Sequence, residues 1–125
     1  MNKDLVLSPL GHTWVLDLDG TIIKHNGYKD DKKDSLLPGA KEFMLKIPDD
    51  DMIIFITSRK KEYKKETENF LEANGIRYNA IIYDAPFGER IIINDKKPSG
   101  LETAFAVNVD RDNGIGFGFV IDDTK

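Results

Sequence analysis

At 125 residues with 40% apolar side chains, the chain has the size of one domain, enough to build a single core without help from metals or disulfides. It contains no cysteine, which excludes a disulfide frame and any thiolate metal site, and its net charge of -4 argues against general adhesion to nucleic acid. Any catalysis must therefore come from oxygen, lysine, arginine or the two histidines. The opening residues, MNKDLVLSPLG, lack an apolar stretch of useful length, and no run approaches the roughly 20 apolar residues of a membrane span. The expectation is a cytoplasmic protein of one domain, residues 1–125, without membrane contact.

In chain order, the first strong element is TWVLDL, 13–18, a short apolar run that ends in acids. Asp17 and Asp19 follow it two residues apart, just before Gly20 and Thr21. The polar stretch KHNGYKDDKKDS, 24–35, comes next and reads as a mobile flap over the carboxylate pair. LPGAKEFMLKIP predicts a helix, with Pro38 at its first position, Ala40, Phe43, Met44 and Ile47 at helical spacing, and Pro48 as the stop. The acids 49–51 read as a solvated turn before the strand MIIFI, 52–56.

SRKKEYKKETENFLEANG predicts a second helix, with Tyr63, Thr67, Phe70 and Leu71 on one stripe and Asn74-Gly75 at its C-terminus. Its lysines 60, 61, 64 and 65 alternate with glutamates and suit a solvated face. AIIY (80–83), RIIIN (90–94), TAFAVNV (103–109) and FGFVI (117–121) are further candidate strands. Continuous apolar runs of this length suit strands covered on both faces, as in a parallel α/β sheet. In GIGFGF, 114–119, the alternate glycines predict a bare strand face against which another backbone packs.

Ligands of parallel sheets bind outside the carboxyl ends of the strands. The residues there are Asp17 to Thr21, Thr57-Ser58-Arg59, Asp84-Ala85 and Asn94-Asp95. A carboxylate can attack phosphorus, dividing a difficult hydrolysis into two steps, and a second can protonate the leaving oxygen and later deprotonate water. Gly20 permits a sharp turn that presents backbone N–H groups to a phosphate, and Thr57 offers a hydroxyl at a helix entrance. Asp95 could join Asp17 in holding magnesium.

VLDLDGT, then IFITSR, then IIIND resembles the haloacid dehalogenase superfamily of aspartate-nucleophile phosphatases, over nearly the whole chain. The resemblance implies a three-layer Rossmannoid α/β fold with a mostly parallel central sheet, the carboxylate-bearing strand at its centre and a minimal flap in place of a cap domain. It implies Asp17 as nucleophile, Asp19 as general acid and base, Thr57 as phosphate-binding hydroxyl, and Gly20, Thr21, Ser58 and Arg59 around the substrate. Arg59 either touches substrate or pairs with a nearby acid. Magnesium would be held by Asp17, the Leu18 carbonyl, Asp19 and Asp95. The expected activity is magnesium-dependent hydrolysis of a small phosphomonoester. A further similarity, of FLEANGIRYNAII and FGERIIINDKKPSGLETAFAVNV to small proteins of capsular and surface polysaccharide synthesis, points to a phosphosugar. Some relatives without a cap use a neighbouring subunit as lid, which leaves self-association open.

The sequence departs from the family pattern at the lysine that ties nucleophile and phosphate together, because Ala85 occupies its place. If RIIIN is a strand, Arg90 starts it about 17 Å from Asp95, at the wrong end of the sheet, and reads as structural. Lys96 and Lys97 lie at the correct edge, and Lys97 is the preferred replacement. Asp95 is preferred over Asp122 and Asp123 as the metal acid, since little chain follows the latter pair. Two other readings remain: a binding or regulatory module without turnover, favoured by Ala85, and a nucleotide or polynucleotide 3′-phosphatase, disfavoured by the acidic balance.

Overall fold

The structure, a computed structural model, describes residues 3–30 and 33–125. Positions 31 and 32 of the predicted flap lie outside the described residues. The fold is mixed α/β with parallel sheets, of Rossmann-like character. Its elements run β1 (Leu5–Leu7), β2 (Thr13–Asp17), α1 (Gly27–Asp30), α2 (Ala40–Lys46), β3 (Met52–Ile56), α3 (Lys64–Ala73), β4 (Ala80–Ile82) and β5 (Phe119–Ile121). A 3-10 turn, Lys61–Tyr63, leads into α3.

β2, β3 and β4 form one parallel sheet in that order, with Asp17 opposite Ile56 and Ile56 opposite Ile82. Parallel neighbours need crossovers, and α2 and α3 supply them. The three strands therefore end on one side, where the Ala85 N–H donates to the Thr57 carbonyl at 3.1 Å and the Asp84 N–H to the Arg59 carbonyl at 2.8 Å. β1 and β5 pair in a separate parallel ribbon. β2 is thus an edge strand of a three-stranded sheet and not the centre of a larger one.

The helical stripes bury as their spacing requires. Ala40, Phe43, Met44 and Ile47 enter the core from α2 and its end, and Thr67 and Leu71 from α3. Phe43 touches Trp14 of β2 and Phe119 of β5, both with ring centroids 5.7 Å apart, so one aromatic cluster joins the two sheets. Pro38 lies outside the helix. Gly39, at φ 75°, is the residue that begins it.

Three sequence expectations are corrected here. Residues 90–94 and 103–109 form no strand. Ile91 and Ile93 are 80% and 92% exposed, so the β-branched run lacks the neighbouring strand that would cover it. Second, Asp51 is no solvated turn residue: it is 4% exposed, and its oxygens accept from the His12 N–H, the His12 ring and the Trp14 indole. Third, the carboxylate-bearing strand β2, expected at the centre of the sheet, lies at the edge of the β2-β3-β4 order; the sequence reading does not anticipate β1, Leu5–Leu7, at all. No helix among the described residues is long and apolar enough to cross a membrane.

Candidate active site

β2 delivers Asp17 at its last residue, and the chain then turns sharply. The Leu18 carbonyl accepts from the N–H groups of Thr21, Ile22 and Ile23 at 3.2, 2.9 and 3.0 Å, and Gly20 takes φ 86°. That conformation costs little only for glycine. The Gly20 N–H donates to the Ile23 carbonyl at 2.7 Å, so it closes the turn and is not presented to a ligand.

The two carboxylates face different surroundings. Asp17 is half-exposed, with Arg90 Nη1 3.2 Å from Oδ1 and the Thr21 hydroxyl donating to Oδ2 at 3.2 Å. Burial pushes its carboxyl above the ordinary 3.8, Arg90 and Thr21 pull it back, and the charge of Asp19 adds to the rise. Asp19 is surrounded by donors. Arg59 Nε lies 3.1 Å from both of its oxygens and Nη2 2.9 Å from Oδ1, while the Thr57 hydroxyl donates to Oδ2 at 3.1 Å.

Arg59 is the most enclosed charge in the site, only 2% exposed. Besides Asp19, its Nη2 and Nη1 donate to Asp34 at 2.5 and 3.0 Å, and Nη1 reaches the Thr67 hydroxyl at 2.8 Å. The Tyr28 ring lies against the guanidinium, 4.1 Å from centroid to Cζ. Burial alone would lower the pKa of this group, but hydrogen bonds and charge from Asp34 and Asp19 hold it above its ordinary value. Of the two roles open to Arg59, the structure adopts the second, pairing with acids.

Several predicted site residues are elsewhere or otherwise engaged. Thr57 is fully buried, accepts the Arg59 N–H at 3.0 Å, donates to Asp19, and precedes α3 by seven positions, so its hydroxyl is already engaged and no helix begins at it. The Ser58 hydroxyl points to the Pro86 carbonyl, 3.5 Å away. Leu18 is fully buried with its carbonyl already accepting three N–H groups, which removes it as a metal ligand. Asp95 is exposed in an irregular segment, where its carbonyl accepts the Thr103 hydroxyl. Asp122 follows β5 in the other sheet, its N–H bonded to the Leu7 carbonyl at 2.7 Å.

Among the described residues no three acids or histidines converge. The donor set implied by the resemblance does not fit magnesium here, since Leu18 is occupied, Asp95 is apart, and each aspartate already faces an arginine. Arg90, read as structural from an assumed strand, reaches Asp17 because residues 83–90 leave β4 as a loop and bring its side chain over the strand tips, 3.5 Å from the Ile56 carbonyl. Lys97 lines a cleft beside β2, about 720 Å³ in volume, to which Asp17 and Thr21 also contribute.

Sequence reasoning missed Asp34 and Tyr28, which were submerged in a flap of undifferentiated polar residues. It also missed Asp112. The Asp112 N–H donates to the Gly20 carbonyl at 2.9 Å and its carboxylate accepts the His25 N–H at 2.7 Å, which places the 110–113 turn against the carboxylate turn.

No family model and no curated protein matches the sequence. Among solved structures, a chain of the Pnkp1/Rnl/Hen1 complex is similar, with a TM-score of 0.50 and 22% identity over 67% of this chain. The matched region is 32% of that chain's length. At this identity the likeness is one of fold.

Proposed function

We propose that the chain is a phosphomonoester hydrolase of haloacid dehalogenase type. The observation that carries the reading is the asymmetry of the carboxylate pair: Asp17 is accessible at a strand tip beside a cation, while Asp19 is held by Arg59 and Thr57. In the first step an Asp17 oxygen attacks phosphorus, the bond to the leaving oxygen breaks, and that oxygen takes a proton from the Asp19 carboxyl. In the second step Asp19, now a carboxylate, removes a proton from the water that attacks phospho-Asp17 and frees phosphate. The donors around Asp19 suit this acceptor form. Arg90 neutralises charge as the phosphate meets Asp17, the role first given to Lys97. Phosphate release with and without added magnesium measures whether the metal takes part.

The substrate class in this reading is a phosphosugar or related metabolite of polysaccharide synthesis, on the strength of the sequence similarity described above. The experiment is release of inorganic phosphate from an aryl phosphate, sugar phosphates, nucleotides and an oligonucleotide 3′-phosphate, with Asp17→Asn as control. Asp17→Asn is expected to fold normally by circular dichroism and to lose at least about 10³-fold in kcat, because the amide cannot attack phosphorus. Wild-type turnover in that variant removes Asp17 as nucleophile. Absence of turnover on every substrate by the native protein leaves the binding-module reading.

A further inference from the structure

β2 is paired on one side only. Its residues, Thr13–Asp17, run beside β3, and among the described residues no strand bonds its other edge. The N–H and C=O groups of that edge form a template onto which a further strand can add. Side chains alternate along a strand, so Thr13, Val15 and Asp17 share one face. Val15 is 40% exposed, and the face that carries the nucleophile therefore carries uncovered apolar surface as well.

The cleft of about 720 Å³ follows β2. Every residue of the strand lines it, from Thr13 at one end to Asp17 at the other, a span of about 13 Å. Val6, Phe105 and Val107, all exposed, also line it, and its charged side chains are Asp17, Glu102, Lys97 and Lys125. The volume falls within the roughly 300–1,000 Å³ of ligand sites. A free strand edge beside apolar walls calls for an occupant with repeating backbone donors and acceptors and with apolar side chains. A sugar brings hydroxyls without an apolar body, and a hydrocarbon brings no partner for the edge. An extended peptide brings both.

We propose, resting on the nucleophile role given to Asp17 above, that the chain also dephosphorylates peptides: an extended segment adds to the free edge of β2 with a phosphoserine opposite Asp17. Residues opposite each other on neighbouring strands place their side chains on one face, with Cβ atoms about 5 Å apart, which brings the phosphate to the carboxylate. Apolar side chains two and four positions from the phosphoserine then lie over Val15 and Thr13. An Asp17 oxygen bonds to phosphorus as the bond to the serine Oγ breaks, and Oγ leaves with the proton of the Asp19 carboxyl. Water then frees phosphate from Asp17 as in the second step above. Arg90, 3.2 Å from Asp17, and Lys97 in the cleft supply positive charge for the phosphate.

The test compares three substrates of the native chain: 4-nitrophenyl phosphate, free phosphoserine, and a short phosphoserine peptide with valine two and four positions away on either side. The peptide is expected to exceed free phosphoserine at least about tenfold in kcat/KM, chiefly through a lower KM. It is then N-methylated at alternate residues in two complementary sets, each of which removes the donors of one strand edge. A strand adds through one edge, so one set is expected to lose the advantage and the other to keep it within about threefold. Equal effects of the two sets overturn strand addition. A peptide no better than free phosphoserine, with 4-nitrophenyl phosphate still hydrolysed, overturns the peptide activity and leaves the phosphatase reading in place. No hydrolysis of 4-nitrophenyl phosphate overturns both.

Discussion

Asp17 and Arg90 define what the single residue contributes. Burial raises the Asp17 carboxyl above 3.8, so folding makes its ionisation harder than in the unfolded chain, and Arg90 is the strongest opposing influence. A group whose folded pKa lies above its unfolded one contributes stability below the unfolded value and loses it as pH rises through the folded value. For catalysis the sign is the same: the nucleophile is ready only above a threshold higher than 3.8. Arg90→Ala removes the opposing influence, so the acid limb of kcat/KM on an aryl phosphate is expected to move to higher pH. Lys97→Ala is expected to leave that limb in place. A limb moved by Lys97→Ala and not by Arg90→Ala would return the role to the lysine. The aspartate pair was legible in the sequence because two acids after an apolar run have little structural use. The arginine was not, because its place depends on the path of a loop.

At the scale of elements, the opposite end of the sheet is set by a polar cluster. Asp51 precedes β3 and His12 precedes β2. The His12 N–H and ring Nδ1 lie 3.0 and 2.8 Å from the Asp51 oxygens, and the Trp14 indole lies 3.0 Å away. Together with the Met52 N–H on the His12 carbonyl at 2.9 Å, these bonds fix the register Thr13 to Met52, and hence Asp17 to Ile56 at the functional end. A slip of one residue would turn the carboxylate strand over.

Burial alone would raise the Asp51 carboxyl, but the bonds from Trp14 and His12 outweigh it and hold the group below 3.8. This stability is present above 3.8 and is lost as pH falls through the lowered value. Asp51→Asn turns an amide N–H toward at least one of these donors and is expected to cost about 2 kcal/mol at neutral pH in urea unfolding. The difference from wild type should shrink below pH 3.8, where the native carboxylate itself is titrated. A penalty that stays constant into that range would show that shape, and not charge, matters at this position. Periodicity made the strands 13–17 and 52–56 and the two longer helices readable. The pinning of their register was not readable, because it joins residues 39 apart through side chains that look like turn formers.

For the molecule as a whole, the sequence reading was weakest where an apolar run has no local clue to its partner. RIIIN reads as a strand by composition alone, yet Ile91 to Ile93 are irregular and exposed, joined to no strand. Propensity measures how well a residue fits a pleated, half-buried surface, and it is silent on whether that surface exists. The bare strand face expected of GIGFGF does not form: the strand begins only at Phe119, Gly116 has open space around it, and Gly114 alone, in the preceding turn, is approached by another backbone. The Ile115 N–H donates to the Pro38 carbonyl at 3.0 Å, and Gly114 sits at φ 79° where any Cβ would fall within that carbonyl's van der Waals shell. Gly114→Ala is therefore expected to destabilise the fold by about 3 kcal/mol, from strain and the displaced contact together. Gly75→Ala, also at positive φ but with open space around it, should cost about 1 kcal/mol. Equal losses in thermal unfolding would mean that the backbone angle matters and the close approach does not.

That approach also sets an order of assembly. The residues that seat Gly39 at the start of α2 are the Ile115 backbone, 76 positions later in the chain. During synthesis the site where that helix starts stays open until residue 115 has emerged. Contacts so distant close slowly, because the loop entropy is lost before the contact is made. The start of α2 is thus seated only when the strand-free segment around residue 115 has been made and has folded back on it.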